Sequence, residues 1–298
     1  MAGVSHSKHY EHLKNLWTNE HREIQKEIAQ KHEGALRWLT HHVRNAAVSG
    51  MALTIGLNHP VVATASNTLA HIPYNQPQEF VSSDDLSGNA FLLHQLQGKV
   101  PHDVRPLTQE EENEISKILS HQFGLKISAE FDGKRLNRSY GYIGQEQHLT
   151  RYPGDTIATH FSTPEEAQKY AKYGMAPGRG AWGYFASGSQ VTEKDIEREK
   201  YYIAVQTFLA PGFMENVREH YDFYKYRKML VVNPENGRAM VVVIGDAGPA
   251  EWTGKSLGGS PEVMDYLKRV DGKQKGPVLY FFIDDPEDKI PLGPVNTV

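Results

Sequence analysis

The chain has 298 residues, a formal net charge of −4 and no cysteine. Its length allows one large domain or two small ones. The acidic balance gives no reason to expect a nucleic-acid partner, and the absence of cysteine excludes disulfides, thiolate metal sites and cysteine nucleophiles. Hydrophobic residues make up 39% of the chain, a low share which predicts that part of it is extended or solvated.

Residues 1–45 are predicted to form an amphipathic, highly charged helix. Within residues 6–44, Leu13, Ile24 and Ala35 are spaced by eleven, and such a repeat keeps one apolar stripe on a nearly straight helix. Charged and histidine side chains cover the remaining surface. The stripe fits either packing against the helix's own domain or self-association with a second chain.

A membrane anchor is predicted over residues 46–66. This stretch has no Asp, Glu, Lys or Arg and is about as long as a bilayer crossing requires. Basic residues are frequent before it and first return at Lys99, which predicts an inside N-terminus and an extracytoplasmic C-terminal domain. The alternative is a soluble protein in which 46–66 is a buried helix. Residues 67–107, rich in Asn, Ser, Pro and Gln, are predicted to be a linker.

Residues 108–298 contain signals for short helices and strands. Thr108, with Glu111 three residues later, forms the pattern of a capping box and predicts the start of a helix. Gly124 is suited to the residue that ends this helix. Asp132-Gly133 then predicts a tight hairpin. This part of the chain is therefore expected to combine α and β structure.

The stretch from Met229 to Leu267 is the most informative part of the sequence. Asn236-Gly237 stands between two β-branched apolar runs, which predicts a hairpin with a type I′ turn. The second run, Met240 to Ile244, leads into Gly245-Asp246-Ala247-Gly248-Pro249. A single carboxylate is thereby expected at the exposed end of a buried strand, on a loop that continues neither helix nor sheet.

This stretch resembles the double-psi β-barrel of the rare lipoprotein A family, which is related to barwin, to expansins and to the barrel of membrane-bound lytic transglycosylase A. The matching residues are Val231, Asn233, Asn236, Gly237, Arg238, Val241 to Val243, Asp246, Gly248, Pro249 and Ser260. The resemblance implies an α+β fold: a six-stranded double-psi β-barrel-like domain with short helices, preceded by the long N-terminal helix and the membrane segment. It also implies an extracytoplasmic protein that binds or cleaves cell-wall polysaccharide (peptidoglycan), and no cofactor is expected.

Asp246 is the candidate catalytic residue. A carboxyl beside apolar residues can have its pKa raised by desolvation, which suits a general acid. By the resemblance to lytic transglycosylases, Asp246 would protonate the glycosidic oxygen while the sugar's own hydroxyl closes an anhydro ring. Alternatively, Asp246 accepts backbone N–H groups and only fixes the turn. The family has a second Asp two residues before Ser260; Gly258 stands there in this chain, which favours glycan binding without cleavage.

Further candidates for glycan binding are aromatic and charged residues near this loop. Trp252 is predicted to be exposed beside it, with Glu251 as a second carboxylate. Trp182 and Tyr184 lie in a glycine-rich stretch, which is typical either of close packing in a barrel or of a platform on which sugars stack.

A cluster of titratable residues follows Tyr140 and is predicted to line a saccharide cleft. Its members are Glu146, His148, Arg151 and Asp155. On a strand, the first two would point to one face. With Asp155 or His160 they could bind a metal, but no established ligand spacing matches, so no metal site is predicted. A hydrogen-bonded structural loop is the alternative.

A second function of a different class stays open. The chain could be a structural or assembly protein in which helix 6–44 mediates self-association and the barrel is a rigid interaction module.

Overall fold

The computed structural model describes residues 83–188, 190–269 and 275–298. The helix predicted over 1–45 and the anchor predicted over 46–66 lie outside the described residues. Among the helices that are described, none is long and apolar enough to cross a membrane.

The described part of the chain has an α+β fold. Its helices are α1 Ser83–Leu96, α2 Gln109–Phe123, α3 Pro164–Tyr170, α4 Glu193–Lys200, α5 Val217–Tyr224 and α6 Pro261–Tyr266. Its strands are β1 Ile127–Ser128, β2 Glu130–Phe131, β3 Lys134–Arg135, β4 Tyr140–Gln145, β5 Tyr202–Val205, β6 Lys228–Val232, β7 Ala239–Ala247, β8 Leu257–Gly259, β9 Lys275–Ile283 and β10 Gly293–Val295.

Strands β4 to β9 close into a six-stranded mixed barrel. β4 pairs antiparallel with β9 and parallel with β8, and β8 pairs antiparallel with β5. β5 then pairs parallel with β7, and β6 lies antiparallel between β7 and β9 and closes the circle. The predicted six-stranded barrel and the α+β class are confirmed.

The pairing pattern of the barrel contains an internal twofold relation. Exchanging β4 with β7, β5 with β8 and β6 with β9 reproduces every pairing, including both parallel ones. The two parallel pairs join strands that are far apart in sequence, which no hairpin signal can report. This closure is compatible with a double-psi barrel.

Both faces of the barrel wall are buried along β6, β7 and β9. Val231 and Met240 point into the barrel core, whereas Leu230 and Phe281 point outward against α1 and α2. Strands that are covered on both sides read as continuous apolar runs, and the Met240–Ile244 run has this character. The barrel wall therefore lies between two hydrophobic layers.

Helix α1 lies inside the segment predicted to be a linker, 67–107. Its Leu92 and Leu96 are 0% and 3% exposed and belong to the outer hydrophobic layer. Three of its apolar residues, Phe91, Leu92 and Leu93, are consecutive and point to different sides of the helix, so its sequence lacks the periodicity that would have indicated it. Packing against the barrel, rather than the helix's own sequence pattern, therefore stabilises α1.

The local signals for helix α2 and for the hairpins are mostly confirmed. Thr108 and Glu111 form the capping box, and Gly124 ends the helix in the left-handed region with φ 63°. The Asp132-Gly133 pair, with φ of 50° and 69°, turns β2 into β3. The ends of α2 and the β2–β3 turn are therefore determined by residues close to them in sequence.

The predicted type I′ turn at Asn236-Gly237 is wrong, although the hairpin exists. The loop runs from Asn233 to Arg238, and the backbone N–H of Asn233 donates to the carbonyl of Arg238 at 2.9 Å. Only Gly237 has positive φ there. The reason is that the Asn233 and Asn236 amides both donate to the carbonyl of Leu267, at 2.8 and 3.1 Å, so the loop is shaped by the segment after α6.

Candidate functional site

Asp246 lies near the end of β7 on the outside of the barrel. The register pairs Ile203 with Ile244 and then Ala204 with Asp246, so Gly245 is the extra residue of a β-bulge. The isoleucine pair points into the core, and the next pair therefore points outward. The bulge thus aims the Asp246 carboxyl away from the barrel interior.

The Asp246 carboxyl is partly buried and bound on one oxygen. Its Oδ1 accepts the N–H groups of Ala181, at 2.6 Å, and of Ala247, at 2.8 Å. Burial raises the pKa of Asp246 above its usual value, although these two hydrogen bonds act in the opposite direction. Oδ2 makes no hydrogen bond with the part of the chain that the structure describes. The group is therefore held in place and favours the protonated form more than an ordinary Asp does.

A second carboxylate occupies the space above Gly258. A Cβ on Gly258 would lie 2.2 Å from both Cγ and Oε1 of Glu146. Glu146 Oε1 forms a salt bridge of 2.6 Å with Lys255 Nζ, and the Glu146 N–H donates to the carbonyl of Gly259. A carboxylate from the end of β4 thus fills the space that a side chain at position 258 would occupy.

Asp246 and Glu146 face the same side of the barrel wall. The register places Gly258 opposite Ala204, and Ala204 opposite Asp246. The Cα atoms of Asp246 and Gly258 are therefore two strands apart, about 10 Å at ordinary strand spacing. We call the outer surface of β5, β7 and β8 between these two acids the carboxylate face.

Trp252 borders the carboxylate face. It lies in a short 3₁₀ turn, Glu251–Thr253, and its side chain is 89% exposed, as the sequence predicts. The Gln206 amide donates to the carbonyls of Pro249, at 3.0 Å, and Lys255, at 3.3 Å. These bonds tie both ends of the loop to the end of β5, so that Trp252 and Glu251 project from a fixed base.

Trp182 and Tyr184 differ from the predicted sugar platform. Trp182 is 7% exposed and lies in the barrel core cluster, and its Nε1–H donates to the carbonyl of Ile244 at 3.0 Å. Tyr184 is half-buried, with the Arg179 guanidinium 5.6 Å from its ring centre. A core indole has no free face to offer a sugar. Gly178 and Gly183 have φ of 106° and 86°, and a Cβ on either would meet no described atom within 4 Å, so these glycines serve the path of the backbone rather than close packing.

The predicted polar wall is divided between two places. β4 ends at Gln145, before Glu146 and His148, so the two side chains do not share one strand face. Glu146 joins the carboxylate face. His148, Arg151 and Asp155 are 0%, 5% and 6% exposed and cannot line a cleft open to solvent, because the loop that carries them folds inward.

These three residues form a buried cluster with His160 and Glu199, which we call the His–Glu cluster. Glu199 Oε1 accepts the N–H of Leu149 at 3.0 Å, and Oε2 accepts from Arg151 at 2.8 and 3.1 Å. His160 Nε2 lies 2.9 Å from Oε2, and His148 Nδ1 lies 3.4 Å from Oε1. Burial acts to raise the pKa of Glu199, but the two imidazoles and the Arg151 charge hold it well below its usual range.

Sequence reasoning missed Glu199, Lys255 and the role of Gly258. Glu199 lies on α4, whose sequence EKDIEREK is charged on all sides and therefore does not indicate which face is buried. The one available signal was the capping box at Thr192, where Asp195 is the third helical residue. Asp195 and Glu199 are four residues apart, on one helix face, and both are buried.

Comparison with known proteins leaves the identification to the structure. No protein-family profile matches the chain, and no curated protein matches its sequence.

Proposed function

We propose that the barrel is a double-psi β-barrel of the rare lipoprotein A type, and that its carboxylate face binds and cleaves cell-wall polysaccharide. The twofold relation in the strand pairing supports the fold. The observation that carries the function is Asp246: burial raises its pKa, Oδ1 is fixed by two N–H groups, and Oδ2 is left without a partner among the described residues.

Asp246 acts as the general acid. At a pH where it is protonated, Oδ2–H donates its proton to the glycosidic oxygen of the bound glycan, so that the leaving sugar departs as an alcohol. In the lytic version of this reaction, a hydroxyl of the same sugar attacks the anomeric carbon and closes an anhydro ring. This chemistry needs one acid, unlike hydrolysis by two carboxyl groups of defined separation.

Glu146 supplies negative charge on the opposite side of β5. The salt bridge with Lys255 and the glycine at position 258 fix its carboxylate. Positive charge develops on the sugar ring as the glycosidic bond breaks, and a fixed carboxylate stabilises that charge without reorganisation. Glu146 thereby takes the part that the family gives to its second Asp, which removes the reason for assigning this chain to binding alone.

The proposal places the barrel outside the cytoplasmic membrane, held by the anchor predicted over 46–66, with the exposed Trp252 and Glu251 as further glycan contacts. Self-association through residues 6–44 would arrange several barrels along one glycan. An assembly role without catalysis is the competing proposal, and the same experiment separates the two.

The test is digestion of purified cell-wall sacculi by the full-length protein, with released fragments measured by mass. We expect anhydro-ended fragments, and a loss of about 10²–10⁴-fold in release for Asp246→Asn. Asp222→Asn is the matched control, since Asp222 is exposed and its one ion pair in the described part of the chain is with Arg218, at 3.5 Å.

Three outcomes are informative. Release by the wild type and the control, but not by Asp246→Asn, supports the proposal. Co-sedimentation of all three proteins with sacculi, without release, shows a glycan-binding module and refutes the general-acid role. Neither release nor binding refutes the cell-wall function and favours assembly.

A further inference from the structure

The strongest unexplained feature outside the carboxylate face is the convergence of His148, His160 and Glu199. One ligand atom from each lies within 4.8 Å of the others, and all three side chains are fully buried. Phe161 packs its ring against both imidazoles, with centroid distances of 5.1 and 5.3 Å. The cluster is therefore shielded from bulk solvent, and its buried polar atoms need partners at close range.

A count of protons shows that these side chains do not satisfy each other when both imidazoles are neutral. His160 faces a carboxylate at each nitrogen: Asp155 Oδ2 at 2.9 Å from Nδ1, and Glu199 Oε2 at 2.9 Å from Nε2. His148 faces the Tyr170 carbonyl from Nε2 and Glu199 Oε1 from Nδ1, both at 3.4 Å. A neutral imidazole has one N–H and one lone pair. Four nitrogens therefore face acceptors with only two protons to share.

One pair of tautomers leaves two lone pairs facing Glu199. The Tyr170 carbonyl can only accept, which favours an N–H on His148 Nε2, and an N–H on His160 Nδ1 would donate to Asp155. The lone pairs of His148 Nδ1 and His160 Nε2 then point at the Glu199 carboxylate. His148 Nδ1 is buried and has no hydrogen-bond partner among the described residues. A metal-binding histidine ordinarily donates its other N–H to a carboxylate or carbonyl, and both histidines have that arrangement here.

We propose that His148, His160 and Glu199 bind one divalent transition metal ion, with zinc as the expected metal from the ligand types. The donors are His148 Nδ1, His160 Nε2 and the Glu199 carboxylate, and imidazole with carboxylate is a ligand set that zinc accepts. Zinc–nitrogen bonds of about 2.0–2.1 Å at a tetrahedral angle separate neighbouring donors by about 3.3 Å. His148 Nδ1 lies 3.4 Å from Oε1 of Glu199, His160 Nε2 lies 2.9 Å from Oε2, and one ligand atom of each residue lies within 4.8 Å of the others, so small side-chain adjustments bring the donors to that spacing.

Arg151 is compatible with the ion because a carboxylate offers about four lone-pair directions. Nε and Nη2 of Arg151 lie on one edge of the guanidinium, so both approach Oε2 from one direction, and the Leu149 N–H approaches Oε1. The other direction on each oxygen faces an imidazole. The ion would join α4 to the segment that begins with Glu146, so its role is to position the loop rather than to react. The ion takes no part in the proton transfer from Asp246, so its presence can be tested without any measurement of glycan cleavage.

The test is elemental analysis of the full-length protein after dialysis. We expect about one zinc ion per chain, as in a structural site, and near-complete loss in His148→Ala and Glu199→Gln. His220→Ala is the matched control: His220 is also buried, and both its nitrogens face carbonyls, of Asn216 and Pro211. It lacks a second ligand, so its variant should keep the metal.

A measurement on the unmutated protein covers the case in which the variants fail to fold. A chelator should lower the Tm of the wild type, and added Zn²⁺ should restore it because the ion binds the folded state, whereas Mg²⁺, which prefers oxygen ligands, should not. A wild-type protein without metal, whose Tm does not respond to Zn²⁺, would overturn the proposal.

Discussion

The carboxylate face and the His–Glu cluster are neighbours that differ in how their carboxylates are buried and hydrogen-bonded. Burial raises the pKa of Tyr202, and the charges of Glu199, Glu146 and Asp246 all raise it further, so the three acids surround one side chain. Glu146 is 27% exposed, whereas Glu199 is 0% exposed and bound on both oxygens. A carboxylate with every oxygen occupied can hold segments together; one with an unused oxygen is available to a substrate.

One short segment serves both regions. Glu146 ends up on the carboxylate face, and two residues later His148 enters the cluster. The cluster therefore fixes the backbone from which the Glu146 carboxylate projects. A substitution in the cluster should displace Glu146 on the carboxylate face, whereas a substitution on the face should leave the cluster intact. The first two of the following predictions test that asymmetry through the free energy of unfolding.

Glu199→Ala should be the most damaging substitution. It leaves the Arg151 guanidinium buried without its carboxylate, and the loss of one partner of a buried ion pair costs about 3–5 kcal/mol. Denaturant unfolding measures this. Glu197→Ala, on the same helix but exposed, should stay within about 0.5 kcal/mol of the wild type. Equal effects of the two substitutions would show that the cluster does not hold the fold.

Gly258→Ala should have an intermediate effect, because it places a Cβ 2.2 Å from Glu146. The Glu146 carboxylate must move and weaken its salt bridge with Lys255; such overpacking costs about 1–3 kcal/mol, and glycan release should fall with it. Gly188→Ala is the control, since no described atom lies within 4 Å of a Cβ there. If Gly258→Ala behaves like Gly188→Ala, Glu146 does not depend on the glycine.

Much of the barrel could be predicted from sequence because its signals are local. Turn glycines, capping residues and apolar runs depend on neighbours in the chain, so the Asp132-Gly133 hairpin, helix α2 and the strand before Asp246 were predictable. The parallel pairs β4–β8 and β5–β7 were not, because they depend on contacts between distant residues. Helix α1 was missed for the same reason, since it is stabilised by packing rather than by its own pattern.

The site was half predictable on the same grounds. Asp246 follows a strand signal directly, and Trp252 follows a turn. The spacing of Glu146 and His148 did not predict where their side chains point. A period of two applies only while a strand continues, and β4 ends at Gln145. Glu199 belongs to a helix without an apolar face, so the sequence did not indicate which of its residues are buried or what they contact.

Asp246→Asn should make the protein slightly more stable while it abolishes glycan release. The pKa of Asp246 is raised above 3.8 in the folded state, so folding binds a proton and stability falls as pH rises from 3.8 through the folded pKa. The ionised group is a cost at pH 7 that the amide removes, by about 0.5–1 kcal/mol. Thermal unfolding at pH 7 and below pH 3.8 should show the gain disappear in acid.

Asp285→Asn should give the opposite sign and is the control for that experiment. Burial acts to raise the pKa of Asp285, but the Lys228 ammonium at 2.7 Å and two N–H groups lower it below its usual value. Its stabilising contribution is present above pH 3.8 and is lost as pH falls through the folded pKa. At pH 7 the amide should therefore cost about 1–3 kcal/mol. The same sign for both variants would contradict the idea that the two acids differ in pairing.

Trp252→Ala should have the smallest effect on folding and still weaken glycan binding. With 89% of the side chain exposed, its removal should change the free energy of unfolding by less than about 0.5 kcal/mol. If the ring packs on a sugar face about as strongly as on another aromatic ring, about 0.5–1.5 kcal/mol, affinity for sacculi should fall by up to about tenfold. Met214→Ala, 77% exposed, should change neither quantity. Co-sedimentation with sacculi at several protein concentrations measures the affinity; unchanged binding by Trp252→Ala would confine glycan recognition to the two acids, because the exposed ring would then have no contact with the ligand.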